Sequence, residues 1–206
     1  MHWQFHQVML PLVASGLVAL SMAIVGLRRR HIVGAWFFVG ITLLLAAWCL
    51  GYILEIGSLS LADKMIWISA QYTVIAFIPV FWFVFAVRYI SWGERPEPHL
   101  ILLLSCLPLI TVIIVWTNPY HELMYRHLAL DVGPLLTMVR MEYGPWFWVH
   151  TIYCYLLLAA GMFFVGWRMV RGPNVFRGQA TSLFVAALIP WLGNAVYILS
   201  GRAPLR

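Results

Sequence analysis

Charge is what this sequence has least of. Only 10% of its 206 residues are Asp, Glu, Lys or Arg, and seven of them are acidic. A soluble domain carries about a quarter of its residues as these four types to keep its surface wet. So few charges cannot coat a globule, which excludes an ordinary soluble enzyme or binding domain. Low-complexity linkers and internal repeats are missing too, leaving one domain over residues 1–206. Cysteine is equally sparse: Cys49, Cys106 and Cys154 all fall inside apolar runs, with no disulfide or zinc-finger spacing. Such thiols pack as small hydrophobes. His150 and Cys154 stand one helical turn apart, but a metal site needs further ligands, so neither a metal nor a cofactor is expected. The net charge of +6 raises nucleic acid as a partner, yet the basic residues punctuate apolar runs instead of forming one patch. Nucleic acid is set aside on that ground.

What the sequence does hold is apolar length. It is 63% hydrophobic, with mean hydropathy +0.88. Six charge-free stretches are long enough to span a bilayer: Val8–Leu27, Ile32–Leu54, Met65–Val87, Leu100–Trp116, Pro145–Trp167 and Ala180–Leu199. About 20 helical residues cross a hydrocarbon core of about 30 Å. Backbone groups in lipid must bond within their own segment or in a closed barrel, and runs this continuous do not alternate as barrel strands do. The expected fold is therefore all-α, a polytopic transmembrane bundle of six spans.

The first stretch is not a cleavable leader, because no Lys or Arg precedes it and Arg28, Arg29 and Arg30 follow it. Loops after the first, third and fifth stretches carry eight basic residues, and the opposite side carries five. Positive residues favour the cytoplasm, so a multi-pass protein of the cell membrane with its N-terminus outside is expected. Six spans would leave the C-terminus outside as well. The closing Gly201–Arg206 reads as a loop, so either the protein ends there or a seventh span has been cut off.

Polar groups inside spans carry most of the information, because they are costly in lipid. Glu55, Gln71, His150 and Asn194 all fall within roughly 10 Å of one membrane boundary at 1.5 Å per residue. Helical spacing places Lys64, Trp67 and Gln71 on one face, Trp146, His150 and Tyr153 on a second, and Trp191, Asn194 and Tyr197 on a third. Ala47, Gly51 and Glu55 are spaced by four, so small residues below Glu55 admit a neighbouring helix. These residues outline a half-buried cup with aromatic walls, open to the outside, fit for a small-molecule or lipid ligand. The structural alternative stays open. Trp and Tyr gather at any membrane interface. Gln, Asn and His also bond across helices for about 0.6 kcal/mol each, and Glu55 with Lys64 can form a plain interfacial ion pair. Ser15, Ala19 and Ala23 read as a packing stripe, and Pro79, Pro108 and Pro190 as bends. Pro190 lies one turn from Asn194, which gives Asn194 a backbone-satisfying role as an alternative. The connection Thr117–Gly144 is long for a loop with no function.

Ordered segments carry a resemblance. They are Tyr52-Ile-Leu-Glu55, then Ser58-Leu-Ser-Leu-Ala-Asp-Lys64 with Trp67 and Gln71-Tyr72; Ile78-Pro79-Val80 with Trp82 and Phe85; Thr117-Asn118 with His121; and Tyr143-Gly-Pro-Trp-Phe-Trp-Val-His150 with Tyr153 and Tyr155. In this order the sequence resembles the N-terminal seven-helix membrane region of bacterial histidine kinases, also found ahead of other signalling output domains. The resemblance implies a sensor that receives a stimulus outside or within the membrane and passes it to a cytoplasmic kinase or other output domain. It also implies a seventh helix and an output domain beyond this chain; a second copy of the chain is a further candidate partner. His31 and His99 are in no phosphoacceptor box and no glycine-rich ATP-binding segment is present, so no catalytic residue is assigned and this chain is not itself expected to be an enzyme. A small transporter or channel subunit is the alternative, weakened by off-centre polar groups and the lack of a repeat. A membrane hydrolase ranks third, because His121, Glu122 and His127 lack H-E-x-x-H spacing.

Overall fold

The computed structural model describes residues 3–90, 98–133 and 136–171, with scattered helical positions between 178 and 196. The first helix, α1 (Met9–Arg28), meets no charge until its last residue, where a cation suits the negative end of the helix dipole. The chain then reverses at Gly34, whose φ of 83° lies in the left-handed region that glycine enters at no steric cost. Next comes α2 (Ala35–Gly57), which packs along α1. Ala19, Ala23 and Gly26 are buried in that seam, and a Cβ on Gly26 would stand 2.6 Å from Val39 Cγ2. Ser15 is not part of it. It is exposed, and its hydroxyl donates to the Pro11 carbonyl at 2.8 Å, so the expected stripe continues toward Gly26 instead.

α3 (Leu61–Ile75) starts at an N-cap: the Ser60 hydroxyl accepts from the Asp63 backbone N–H at 3.0 Å. α4 (Ile78–Ile90) follows after a break at Ala76–Phe77, and the two together form a single apolar crossing, Leu61–Tyr89. The bend expected at Pro79 is present as this break, on its N-terminal side, where the missing proline N–H leaves the ladder open. α5 (Pro98–Trp116) absorbs Pro108 without ending, and α6 (Pro145–Arg171) runs for 27 residues.

Five helices long and apolar enough to cross a membrane stand among the described residues, not the six expected. The stretch Ala180–Leu199 lies largely outside the described residues, and the five others match their expected bounds to within about four residues at each end. The all-α expectation is corrected as well. The connection that read as a loop holds one 3-10 turn, Asn118–Tyr120, and an antiparallel hairpin of β1 (Tyr125–Val132) and β2 (Thr137–Tyr143). Two strands of seven or eight residues, lying outside the spans, give no long hydrophobic signal.

The hairpin lies at the end where α2 and α5 finish and α3 and α6 begin. The N-terminal segment joins the same end, because Gln4 N–H donates to the Gly57 carbonyl at 2.9 Å and Trp3 bridges Ser58. The opposite end carries Arg28, Arg29, Arg30, Arg88, Arg168 and Arg171. Below the hairpin, Tyr125, Met124 and Val139 pack on Ile68, Val115 and Phe147. Nearer the arginine end the core is separate: Trp82, Phe85 and Ala86 of α4 meet Met162 and Val165 of α6.

A covered pair of polar networks at the hairpin end

The first network joins α2 to α3. Glu55 and Lys64 flank the turn between these helices. Lys64, the chain's single lysine, is 1% exposed and donates to the Glu55 main-chain carbonyl at 2.7 Å. A cation there sits against the last carbonyls of α2, at the negative end of its dipole. The Glu55 carboxylate accepts from Gln71 Nε2 at 2.6 Å, and Gln71 Oε1 accepts from Trp48 Nε1 at 3.1 Å. Gly51 makes this bridge possible, because a Cβ there would stand 2.7 Å from Gln71 Cγ. The small residue expected below Glu55 thus admits a polar side chain of α3, and the helix with it.

The second network joins α5 to α6. Thr111 is fully buried, and its hydroxyl lies 2.9 Å from the Leu107 carbonyl, 3.2 Å from His150 Nδ1 and 3.0 Å from Trp146 Nε1, which donates to it. Cys154 Sγ stands 3.3 Å from His150 Nε2. A hydroxyl has one hydrogen, and a helical Thr gives it to the carbonyl four residues back. His150 then carries its hydrogen on Nδ1, donating to Thr111, and Nε2 accepts from the Cys154 thiol. One turn deeper, the Tyr153 hydroxyl donates to the Leu104 carbonyl, tying α6 to α5 again.

Tyr72 sits between the two. It follows Gln71 in α3, and its ring centroid is 6.1 Å from that of His150 and 5.8 Å from that of Tyr125. Tyr125 belongs to the hairpin and is buried. Burial, and then the neighbouring Tyr72, push its phenol well above the ordinary tyrosine range, so it stays neutral. Asn118 holds this roof in place. Its Oδ1 accepts from the Met124 and Tyr125 N–H groups at 2.9 and 3.1 Å, and its Nδ2 donates to the Tyr125 carbonyl at 3.0 Å.

Among the described residues, the expected cup is roofed at its outer end. The hairpin covers it, and Lys64, Gln71 and His150 are buried. Of the candidate residues, Glu55, Lys64 and Gln71 meet in one network, and Trp146 and His150 meet in the other. Tyr153 is bonded below them. Trp67 is half-buried on α3 and enters neither network among the described contacts. Trp191, Asn194 and Tyr197 lie outside the described residues.

Sequence reasoning missed Trp48, Thr111, Asn118 and Tyr125. Trp48 stands at i, i+3 and i+7 with Gly51 and Glu55, a signal that was available, whereas Thr111 reads as an ordinary residue of an apolar helix. For Asn118 the Asn-Pro turn signal was available. Among the described residues no three His, Cys, Asp or Glu side chains gather as a metal site would need.

No curated protein matches the chain. A family model described as the N-terminal 7TM region of histidine kinase matches residues 11–206, nearly the whole length, and the Glu55, Gln71 and His150 networks all lie within it. The chain belongs to the family of N-terminal 7TM regions of histidine kinase.

Proposed function

We propose that this chain receives an extracytoplasmic or intramembrane stimulus at the hairpin end and passes it, through its helix packing, to a cytoplasmic kinase or other output domain in the full-length protein. The observation that carries the reading is the pair of cross-helix polar networks gathered under one roof, with Tyr72 between them. A family of sensor regions needs an element with two packings of similar energy, and a stimulus that favours one shifts the population. Cross-helix bonds in membranes are worth about 0.6 kcal/mol each, so gaining or losing one changes a two-state ratio about threefold. Networks of this strength are suited to being rearranged. The positive-inside rule supports an arginine-rich end in the cytoplasm, with the N-terminus and the hairpin outside.

The test is a full-length kinase carrying this region, with Glu55→Gln, Gln71→Leu and His150→Leu made singly. The expected result is a change in basal autophosphorylation of about threefold or more in each, since each removes at least one bond. Wild-type basal activity in all three, with normal membrane insertion, would overturn the reading. Solute uptake by the purified chain in liposomes would favour a transporter instead.

A further inference from the structure

The hairpin has two unlike faces. Its register pairs Tyr125 with Tyr143, Leu130 with Val139 and Val132 with Thr137, so these residues share one face with Leu128 and Met141. Arg126, Ala129, Asp131, Arg140 and Glu142 fall on the other face, with Met138 as its one large apolar residue. The bulge between Arg126 and Ala129 keeps this division across the extra residue, and His127 takes the bulge with a φ of 50°. The root of the apolar face is anchored: Tyr125, Val139, Leu128 and Met141 pack on α3, α5 and α6. Toward the turn the same face loses its cover. Leu130 is 38% exposed and Val132 is 76% exposed, although Val139, the strand partner of Leu130, is at 7%.

We propose that the overhanging apolar face of the hairpin rests on the lipid headgroup layer, making it a membrane-surface contact of the sensor. The occupant follows from direction and continuity. The face that packs onto the ends of membrane helices faces the bilayer, so its extension past their rim meets the lipid beside them. The rim at this end is marked by half-exposed Trp116 and Trp148, the residue type that settles at the headgroup level. The opposite face, with Arg126, Asp131, Arg140 and Glu142, is left to water, as a surface-lying amphipathic element requires. Because β1 also carries Tyr125 into the roof over the polar networks, the state of the headgroup layer bears directly on that roof. The inference rests on the spans lying in a bilayer and not on the networks being a signalling device.

The experiment uses the whole chain in phosphatidylcholine–phosphatidylglycerol liposomes. Val132→Cys and, on the water-facing side of the same strand, Ala129→Cys are each coupled to an environment-sensitive thiol fluorophore. The unsubstituted chain, with its own Cys49, Cys106 and Cys154, is the blank. Nitroxide carried on lipid headgroups is expected to quench the label at 132 several-fold more than the label at 129, with a blue-shifted emission at 132 only. Equal quenching at the two positions would overturn the proposal. So would an oxidative cross-link between two Val132→Cys chains at lipid dilutions that keep the quenching low, since a second copy would then be the occupant. Neither outcome depends on kinase activity, so a failure here stays separate from a failure of the signalling reading.

Discussion

Asn118→Ala should loosen the hairpin without unfolding the bundle. The Asn118 side chain is 3% exposed and makes three hydrogen bonds, all to the backbone of Met124 and Tyr125. Each such bond contributes about 1 kcal/mol net, so alanine removes about 3 kcal/mol from hairpin docking. At about 1.4 kcal/mol per tenfold, the open fraction of the roof rises about a hundredfold. Hydrogen–deuterium exchange in nanodiscs reads this directly, because the Met124 and Tyr125 amides are bonded to Asn118 Oδ1 and become free. Exchange over residues 119–132 should accelerate about a hundredfold, while α4 and α6, whose core is separate, stay protected. Asn118→Asp is the graded control. It keeps the acceptor for both N–H groups and loses only the donor to the Tyr125 carbonyl, so about fivefold to tenfold is expected. Unchanged exchange in the alanine variant, or equal acceleration in every helix, would refute the assignment of Asn118 as the latch.

Gly51→Ala should lower the thermal midpoint of the detergent-solubilised chain by the equivalent of about 1–3 kcal/mol, because its Cβ collides with Gln71 Cγ. Gly16→Ala, whose Cβ meets Cys49 Cβ at an ordinary 3.5 Å, should cost nothing and serves as the control. Hairpin docking should weaken as pH rises above about 10, the ordinary tyrosine value. The folded Tyr125 phenol ionises only well above that value, whereas the undocked phenol ionises there, so alkali favours the undocked form. Exchange over β1 against pH checks the sign, and Tyr125→Phe should abolish the dependence. Pro79→Ala returns an N–H to the break between α3 and α4, and slower amide exchange around Ala76–Phe77 is the expected result.

Most of the spans were legible because they follow from composition alone. Twenty apolar residues have no other stable placement, and the ends of α1, α2, α5 and α6 fall close to where charge, glycine or proline sets them. Glu55, Lys64 and Gln71 were legible as a group because polar residues at helical spacing in an apolar run stand out. Their partners were not. Trp48 shares a helical face with Gly51 and Glu55, but its bond to Gln71 depends on the crossing that Gly51 sets. The hairpin was missed because the bulge at His127 breaks the period of two within β1, which leaves only short alternating runs on either side of it. The openness of the cup was misjudged for the same reason, since its roof is made of those two strands.

The break in the third crossing gives this arrangement a mechanical sense. α3 carries Lys64, Gln71 and Tyr72, so it belongs to the first polar network, meets His150 of the second through the Tyr72 ring, and touches the roof. α4 carries Trp82 and Phe85, whose core with α6 lies toward the arginine end, and the Trp82 indole is bonded to the Leu158 carbonyl at 3.3 Å. A continuous helix would force the two halves to tilt together. Pro79 has no N–H to give the Ile75 carbonyl, so the break at Ala76–Phe77 is where a change in the angle of α3 would be absorbed while the Trp82 core keeps its packing. Under the proposed function, a stimulus at the hairpin end would act first on α3, through the weak bonds to α2 and the aromatic contacts to His150 and Tyr125. On that proposal it would reach the arginine end only as the part of the α3 tilt that the break at Ala76–Phe77 passes on.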